Sequence, residues 1–387
     1  MQQKDKITKD SVRNNYRLFM AAGEGNDMDG TQGKIGIVSI IMVMMLFNGL
    51  TSHVIVNPLV LDASGRDAWI SVLMTAVLYI PWCALLVYIM KKSGQQELRT
   101  WLSNQTSPLI AWVIIAPICV ELFLIGGMTV IQTEIWTFTN YLPATPQFIL
   151  IIVLVSVCFY AAYTGIRTIA IGAGILLPTV VCLGYFVSIA NTSEKDFALL
   201  KPILEHGWQP ALNGMVYTGG ALVEIILMLL FQHRFKSKMR AWQMMLLGMI
   251  LVYITLGPLI GAITEFGPHE AAKQMVSPYE QWRLVKIGSY IEHVDFLSVY
   301  QWLAGATVRI SLALFLLAEL IPFKRGWTIL ILTLGLAIFS IIVNSQNTFY
   351  LWIYQIYFPV SLIFTLCITI VLAVIAWMAK PTKEGRT

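Results

Sequence analysis

Residues Lys34–Leu61 read KIGIVSIIMVMMLFNGLTSHVIVNPLVL, and residues Ala211–Gln232 read ALNGMVYTGGALVEIILMLLFQ. Each is long enough to cross a bilayer, which takes about 20 apolar residues. Each is also interrupted by glycine and small polar residues: Asn48-Gly49-Leu50-Thr51-Ser52-His53 in the first, Thr218-Gly219-Gly220 in the second. Backbone outside a regular helix is costly in hydrocarbon unless it lines a protected cavity. Paired interruptions at matching places in two halves of a chain point to a transporter-type binding site. The competing reading is that the glycines only let helices pack closely.

The rest of the chain has the same character. Of 387 residues, 57% are hydrophobic and 12% charged, whereas soluble domains carry about 25% charged residues. This is the composition of an all-α integral membrane protein. Apolar runs place ten spans at 35–62, 68–90, 108–138, 147–165, 168–190, 211–232, 241–266, 294–320, 326–343 and 357–379. Lysine and arginine then orient them. With the N-terminus inside, 19 of the 26 basic residues fall on inner segments and six on outer loops (Arg66, Lys195, Lys201, Lys273, Arg283 and Lys286), leaving Arg309 within a span. Both termini are thus expected to be cytoplasmic. The net charge of +5 follows from this topology and calls for no nucleic-acid partner. Residues 1–33, polar and charged, cannot bury a core and are expected to be a disordered cytoplasmic tail. The ten-helix domain covers 34–380, and 381–387 form a second short tail.

Ten spans divide as five plus five. A repeat with an odd number of spans re-enters the membrane inverted, so the halves are expected to be inverted repeats. Depth agrees. Asn48 lies about 13 residues from the inner end of span 1, or roughly 20 Å, and Gly219 about eight from the outer end of span 6, or roughly 12 Å. Across a core of about 30 Å the two interruptions meet at nearly one height, around one shared cavity.

Amide groups starting a half-helix attract anions. Asn48, Gly49, Leu50, Thr51 and Ser52, with Thr218, Gly219 and Gly220, are therefore the candidate ligand-binding residues, with Thr51 and Thr218 supplying hydroxyls for a carboxylate. Glu224, one turn further on, either has its charge eased by the same dipole or receives a ligand's ammonium group. Ionisable residues at membrane depth are functional candidates by default, which adds Glu121, Glu134 and Arg309 as supporting charges. Glu121 and Glu134 are about 140° apart on a straight helix, so one pocket does not take both. Arg309 either forms a structural ion pair with a glutamate, Glu224 and Glu121 being the candidates at similar depth, or contacts ligand directly. Glu319, beside Lys324 and Arg325 at the inner end of span 8, is expected to be solvated. The clusters Trp136–Tyr141 and Trp352–Tyr357 fall at span ends, where interfacial belts occur.

No catalytic or metal chemistry is indicated. The five cysteines lie in apolar spans without paired spacing, and the five histidines are scattered. Walker, G-x-S-x-G and H-E-x-x-H patterns are missing. No cofactor, metal or enzymatic activity is expected.

Several stretches carry a family likeness: Gly65-Arg66-Asp67-Ala68-Trp69, Glu134 followed by Leu142-Pro143-Ala144-Thr145-Pro146, Leu200-Lys201-Pro202-Ile203-Leu204 with Gly207, Glu224 after the glycine pair, and Tyr290-Ile291-Glu292-His293-Val294-Asp295. In order and spacing, over about 34–380, the chain resembles the GerAB-type B subunits of spore germination receptors, within the amino acid–polyamine–organocation transporter superfamily. The resemblance implies a LeuT-like fold with broken helices 1 and 6, and a receptor for a small nutrient: an amino acid, sugar or nucleoside. It implies assembly with an A-type subunit and a lipoprotein C-type subunit in the inner spore membrane. It favours Glu134 as the important acid of span 3, where depth favours Glu121. The alternative function is a secondary amino-acid transporter coupled to Na⁺ or H⁺, which needs the same broken helices.

Overall fold

In hydrocarbon a backbone must satisfy its own hydrogen bonds, so long apolar runs become helices. The computed structural model describes residues 33–286, 293–343 and 347–379. Among these there are ten helices long and apolar enough to cross a membrane, and the only strand-like pairing is a single bridge between Ile35 and Phe235. The expected tails, and Tyr290-Ile291-Glu292 of the family likeness, lie outside the described residues.

Span 1 is α-helical over Ile37–Leu50, widens to a π-helical turn over Thr51–Ile55 and resumes over Asn57–Ser64. Spans 2 to 5 are Ala68–Lys92, Pro108–Asn140, Gln147–Thr164 and Ile166–Ala190. Span 6 is α-helical over Trp208–Leu222 and tightens to a 3₁₀ helix over Val223–Leu229. Spans 7 to 9 are Ala241–Phe266, Leu297–Leu320 and Arg325–Val343, and span 10 crosses over Ile353–Met378. Ends follow local chemistry. Ser107 Oγ accepts the Ile110 amide ahead of Pro108 to start span 3. Gly165, at φ 109°, makes the one-residue corner between spans 4 and 5 that a side chain would resist.

Span 8 is the central post. Along its apolar stretch 83% of residues are buried, against 22% in spans 4 and 5. It packs on spans 1, 3, 4 and 5, while the outer spans turn apolar side chains such as Ile152, Val157, Ile331 and Ile338 outward, as lipid requires. Packing partners recur at an offset of five: span 1 meets span 5 as 6 meets 10, span 1 meets 7 as 6 meets 2, and span 3 meets 9 as 8 meets 4.

Two expectations fail on packing. Glu319 is not solvated: its side chain is 11% exposed and receives Arg234 (Nη2 2.7 Å, Nε 3.1 Å) and His233 (Nε2 2.9 Å). The same segment pairs with the start of span 1, where the Ile35 amide donates to the Arg234 carbonyl at 2.8 Å. Basic residues beyond the end of span 6 thus fold over the end of span 8, a contact distant in sequence. Nor does Trp136 sit in an interfacial belt. It is buried and stacked on Trp302, centroids 4.3 Å apart, with Tyr141 and Tyr279 edge-on. Tyr354 and Tyr357 are buried as well.

Candidate functional site

Both irregular spans change helix type near their point of contact: in span 1 within the expected interruption, at Thr51-Ser52-His53, and in span 6 beyond the expected glycine pair. Asn48, Gly49 and Leu50 are still α-helical, and the irregular turn begins at Thr51. Thr218, Gly219 and Gly220 lie inside an α-helix that holds to Leu222. The glycine pair is there for close packing. A Cβ on Gly220 would overlap the Phe358 carbonyl of span 10, and one on Gly219 would press on Leu362 at 3.2 Å. No half-helix start is freed at these residues, so the expected anion-binding amides are not formed there. The helices Ile37–Leu50 and Trp208–Leu222 instead bring their carbonyl ends together, where the helix dipole favours positive charge.

A cation is present. The Arg309 guanidinium of span 8 grips both carboxylate oxygens of Glu224 with both terminal nitrogens. It also donates to the Phe47 carbonyl (Nη1, 3.0 Å) and to Thr129 Oγ1 of span 3 (Nε, 3.0 Å), and lies 4.7 Å from the Phe47 ring centroid. The π-helical turn supplies that carbonyl: the Thr51 amide, which would bond Phe47 in a regular helix, turns to Asn48. Asn48 joins the two irregular spans, donating Nδ2 to the Ala221 carbonyl at 2.8 Å and to Glu224 Oε2 at 3.4 Å. Thr51 Oγ1 donates to the same oxygen at 3.4 Å. Asn48, Thr51, Glu224 and Arg309 are all at most 3% exposed. The centre is a closed, charge-balanced knot of spans 1, 3, 6 and 8. Dehydrating two ions costs several kcal/mol each, which the bidentate, charge-assisted geometry offsets.

The candidates therefore separate. Asn48, Thr51, Glu224 and Arg309 come together. Ser52 bonds back to the Asn48 carbonyl (3.0 Å) and Thr218 to the Gly214 carbonyl (3.0 Å), so both hydroxyls serve their own helices. Gly49 faces Ile254 of span 7, and Leu50 packs beneath Gly305 of span 8. Glu134 is buried in span 3 beside Thr133, which accepts the Trp302 indole N–H at 3.1 Å. Glu121 lies on the seam with span 10 and accepts hydrogen bonds from Tyr357 (2.8 Å) and Ser361 (2.7 Å). Of the two acids open as partners for Arg309, the structure selects Glu224. Sequence reasoning missed Thr129 and the Phe47 carbonyl, which have no local signature. It also missed Tyr357 and Ser361, whose four-residue spacing on one helix face was legible.

A family profile described as "Spore germination protein" matches residues 34–349. The chain is similar to "Spore germination protein XB" of Bacillus anthracis, 40% identical over 355 residues, which is 91% of this chain and 100% of the relative. It is also similar to "Putative spore germination protein YfkT" of Bacillus subtilis (strain 168), 26% identical over 276 residues, 69% of this chain and 74% of the relative.

Proposed function

The chain belongs to the spore germination protein family, and from that premise we propose that it is the membrane subunit of a germinant receptor. In this reading a small nutrient binds at the junction of spans 1, 6 and 8 and triggers germination. The fold is a LeuT-like inverted repeat, and the packing partners that recur five spans apart support it. The receptor includes an A-type subunit and a lipoprotein C-type subunit in the inner spore membrane, with both termini of this chain cytoplasmic.

The single observation that carries the site is the Glu224–Arg309 pair, held at the meeting point of the two irregular spans. It also ranks the nutrient classes. A ligand entering here must part the pair, and an ion left alone at membrane depth costs about 3 kcal/mol on insertion scales. A zwitterion compensates both sides: its ammonium takes the guanidinium's place against Glu224 and the Phe47 carbonyl, and its carboxylate accepts from Arg309. An uncharged sugar or nucleoside offers no such exchange. We therefore place amino acids first. The test is equilibrium binding of radiolabelled amino acids, sugars and nucleosides to the purified full-length chain in lipid nanodiscs. Saturable amino-acid binding that is lost in Glu224→Gln is expected. Unchanged binding in that variant, or binding of uncharged nutrients alone, would refute the site. The alternative, a secondary amino-acid transporter coupled to Na⁺ or H⁺, shares the enclosed centre. Saturable, ion-driven uptake into proteoliposomes by this chain alone would favour it.

A further inference from the structure

Glu121, like Glu134, is an ionisable group at membrane depth that the central site does not use. It is half-buried on span 3, and Arg309, the basic residue of span 8, is committed to Glu224, Phe47 and Thr129. Its hydrogen-bond partners and the residues that line a recess with it are uncharged among the described residues: Tyr357 and Ser361 come from span 10, and the wall includes Leu98, Ile118, Ile226, Leu230, Phe364 and Thr365. The recess, lined by those wall residues and Glu121, is partly open, largely apolar and about 30 Å³ in volume.

The hydrogen bonds are one-sided. Tyr357 at 2.8 Å and Ser361 at 2.7 Å both donate to Oε1, and no hydrogen bond to Oε2 occurs among the described residues. A carboxylate shared evenly among donors would use both oxygens. A carboxylic acid presents one carbonyl oxygen with two lone pairs, filled here by two hydroxyls, and one O–H free to face the recess. Either charge state fits without moving a donor, because Tyr357 and Ser361 both bond Oε1. An unpaired carboxylate in hydrocarbon is far costlier than the neutral acid. Hard divalent cations take six or more oxygens, more than this apolar seam supplies.

We propose that Glu121 is a proton-binding site on the seam of spans 3 and 10, distinct from the central Glu224–Arg309 pair. The proton adds at Oε2, the oxygen without a protein donor among the described residues, and leaves from it by the partly open recess. The wall includes Ile226, Leu227 and Leu229, from the 3₁₀ stretch that also carries Glu224, and Leu230 just beyond it. Proton loss would therefore place a second carboxylate near a centre that holds one guanidinium. The titratable groups sensing Glu121 are Tyr357 from span 10, Glu224 from span 6 and Arg309 from span 8.

The test needs no nutrient, so its failure is separable from failure of the receptor reading. Infrared difference spectra of the full-length chain in nanodiscs are recorded between about pH 5 and about pH 9, a range that spans shifted carboxyl groups. A protonated carboxyl C=O band is expected to gain and lose intensity across the titration and to vanish in Glu121→Gln. Ser361→Ala, which removes one donor from Oε1, should keep the band and move it to higher wavenumber, which also covers the case that Glu121→Gln does not fold. A band unaffected by either variant would overturn the assignment. So would one that responds to sodium at fixed pH rather than to pH, since that would mark a metal-cation site.

Discussion

Replacing Arg309 with methionine should lower the stability of the folded chain, and a second replacement at Glu224 should restore part of the loss. The guanidinium makes two charge-assisted bonds to Glu224 and one bond each to the Phe47 carbonyl and Thr129 Oγ1. Its removal strands a carboxylate that is 3% exposed. Breaking a buried pair from one side costs about 3–5 kcal/mol, roughly two to three and a half orders of magnitude in the folded-to-unfolded ratio. In Arg309→Met with Glu224→Gln no charge is stranded. What remains is the lost bonding to Phe47 and Thr129, about 1–3 kcal/mol. The second replacement should therefore restore about 2 kcal/mol, well above the roughly 0.5 kcal/mol scatter of independent sites. The assay is a double-mutant cycle on detergent-solubilised protein, read as thermal midpoint and monodisperse fraction. Arg309→Met with Glu121→Gln serves as the comparison cycle, because Glu121 bonds to span 10 instead. Rescue by Glu121→Gln equal to that by Glu224→Gln, or normal stability of Arg309→Met alone, would refute the pairing.

Three further outcomes follow from packing. Gly220→Ala should destabilise more than Gly219→Ala, by about 1–3 kcal/mol, because the first meets backbone at Phe358 and the second a movable Leu362 side chain; equal thermal midpoints would argue against a fixed contact of spans 6 and 10. Thr129→Val should cost about 1–3 kcal/mol by leaving a buried Arg309 N–H without an acceptor, and a thermal midpoint unchanged from the parent would show that the bond is not formed. Glu319→Gln should lower the midpoint clearly while Glu270→Gln, whose ion pair with Lys273 lies on the surface, leaves it in place; the reverse order would mean that Glu319 is solvated after all.

Hydropathy, interruption and charge are local properties, and what depends on them was legible in the chain. Ten apolar runs became ten spans with ends within a few residues of expectation, because a bilayer allows such runs one backbone solution. The two interruptions also marked the right height: Asn48 and Ala221 meet at 2.8 Å. The exact breaks were not legible. Thr218-Gly219-Gly220 reads equally as a weakened helix or as a smooth face for a neighbour, and Phe358 and Leu362, more than 130 residues away in sequence, decide for the neighbour. Partners of charges were hidden for the same reason. Depth left Glu121 and Glu224 equal claimants on Arg309, and helix rotation and packing gave it to Glu224. Glu319, next to basic residues in sequence, found its partners in His233 and Arg234 because the end of span 6 folds across the end of span 8. Composition can say that a buried charge must be matched; only the packed structure, which sets distance and direction, decides by what.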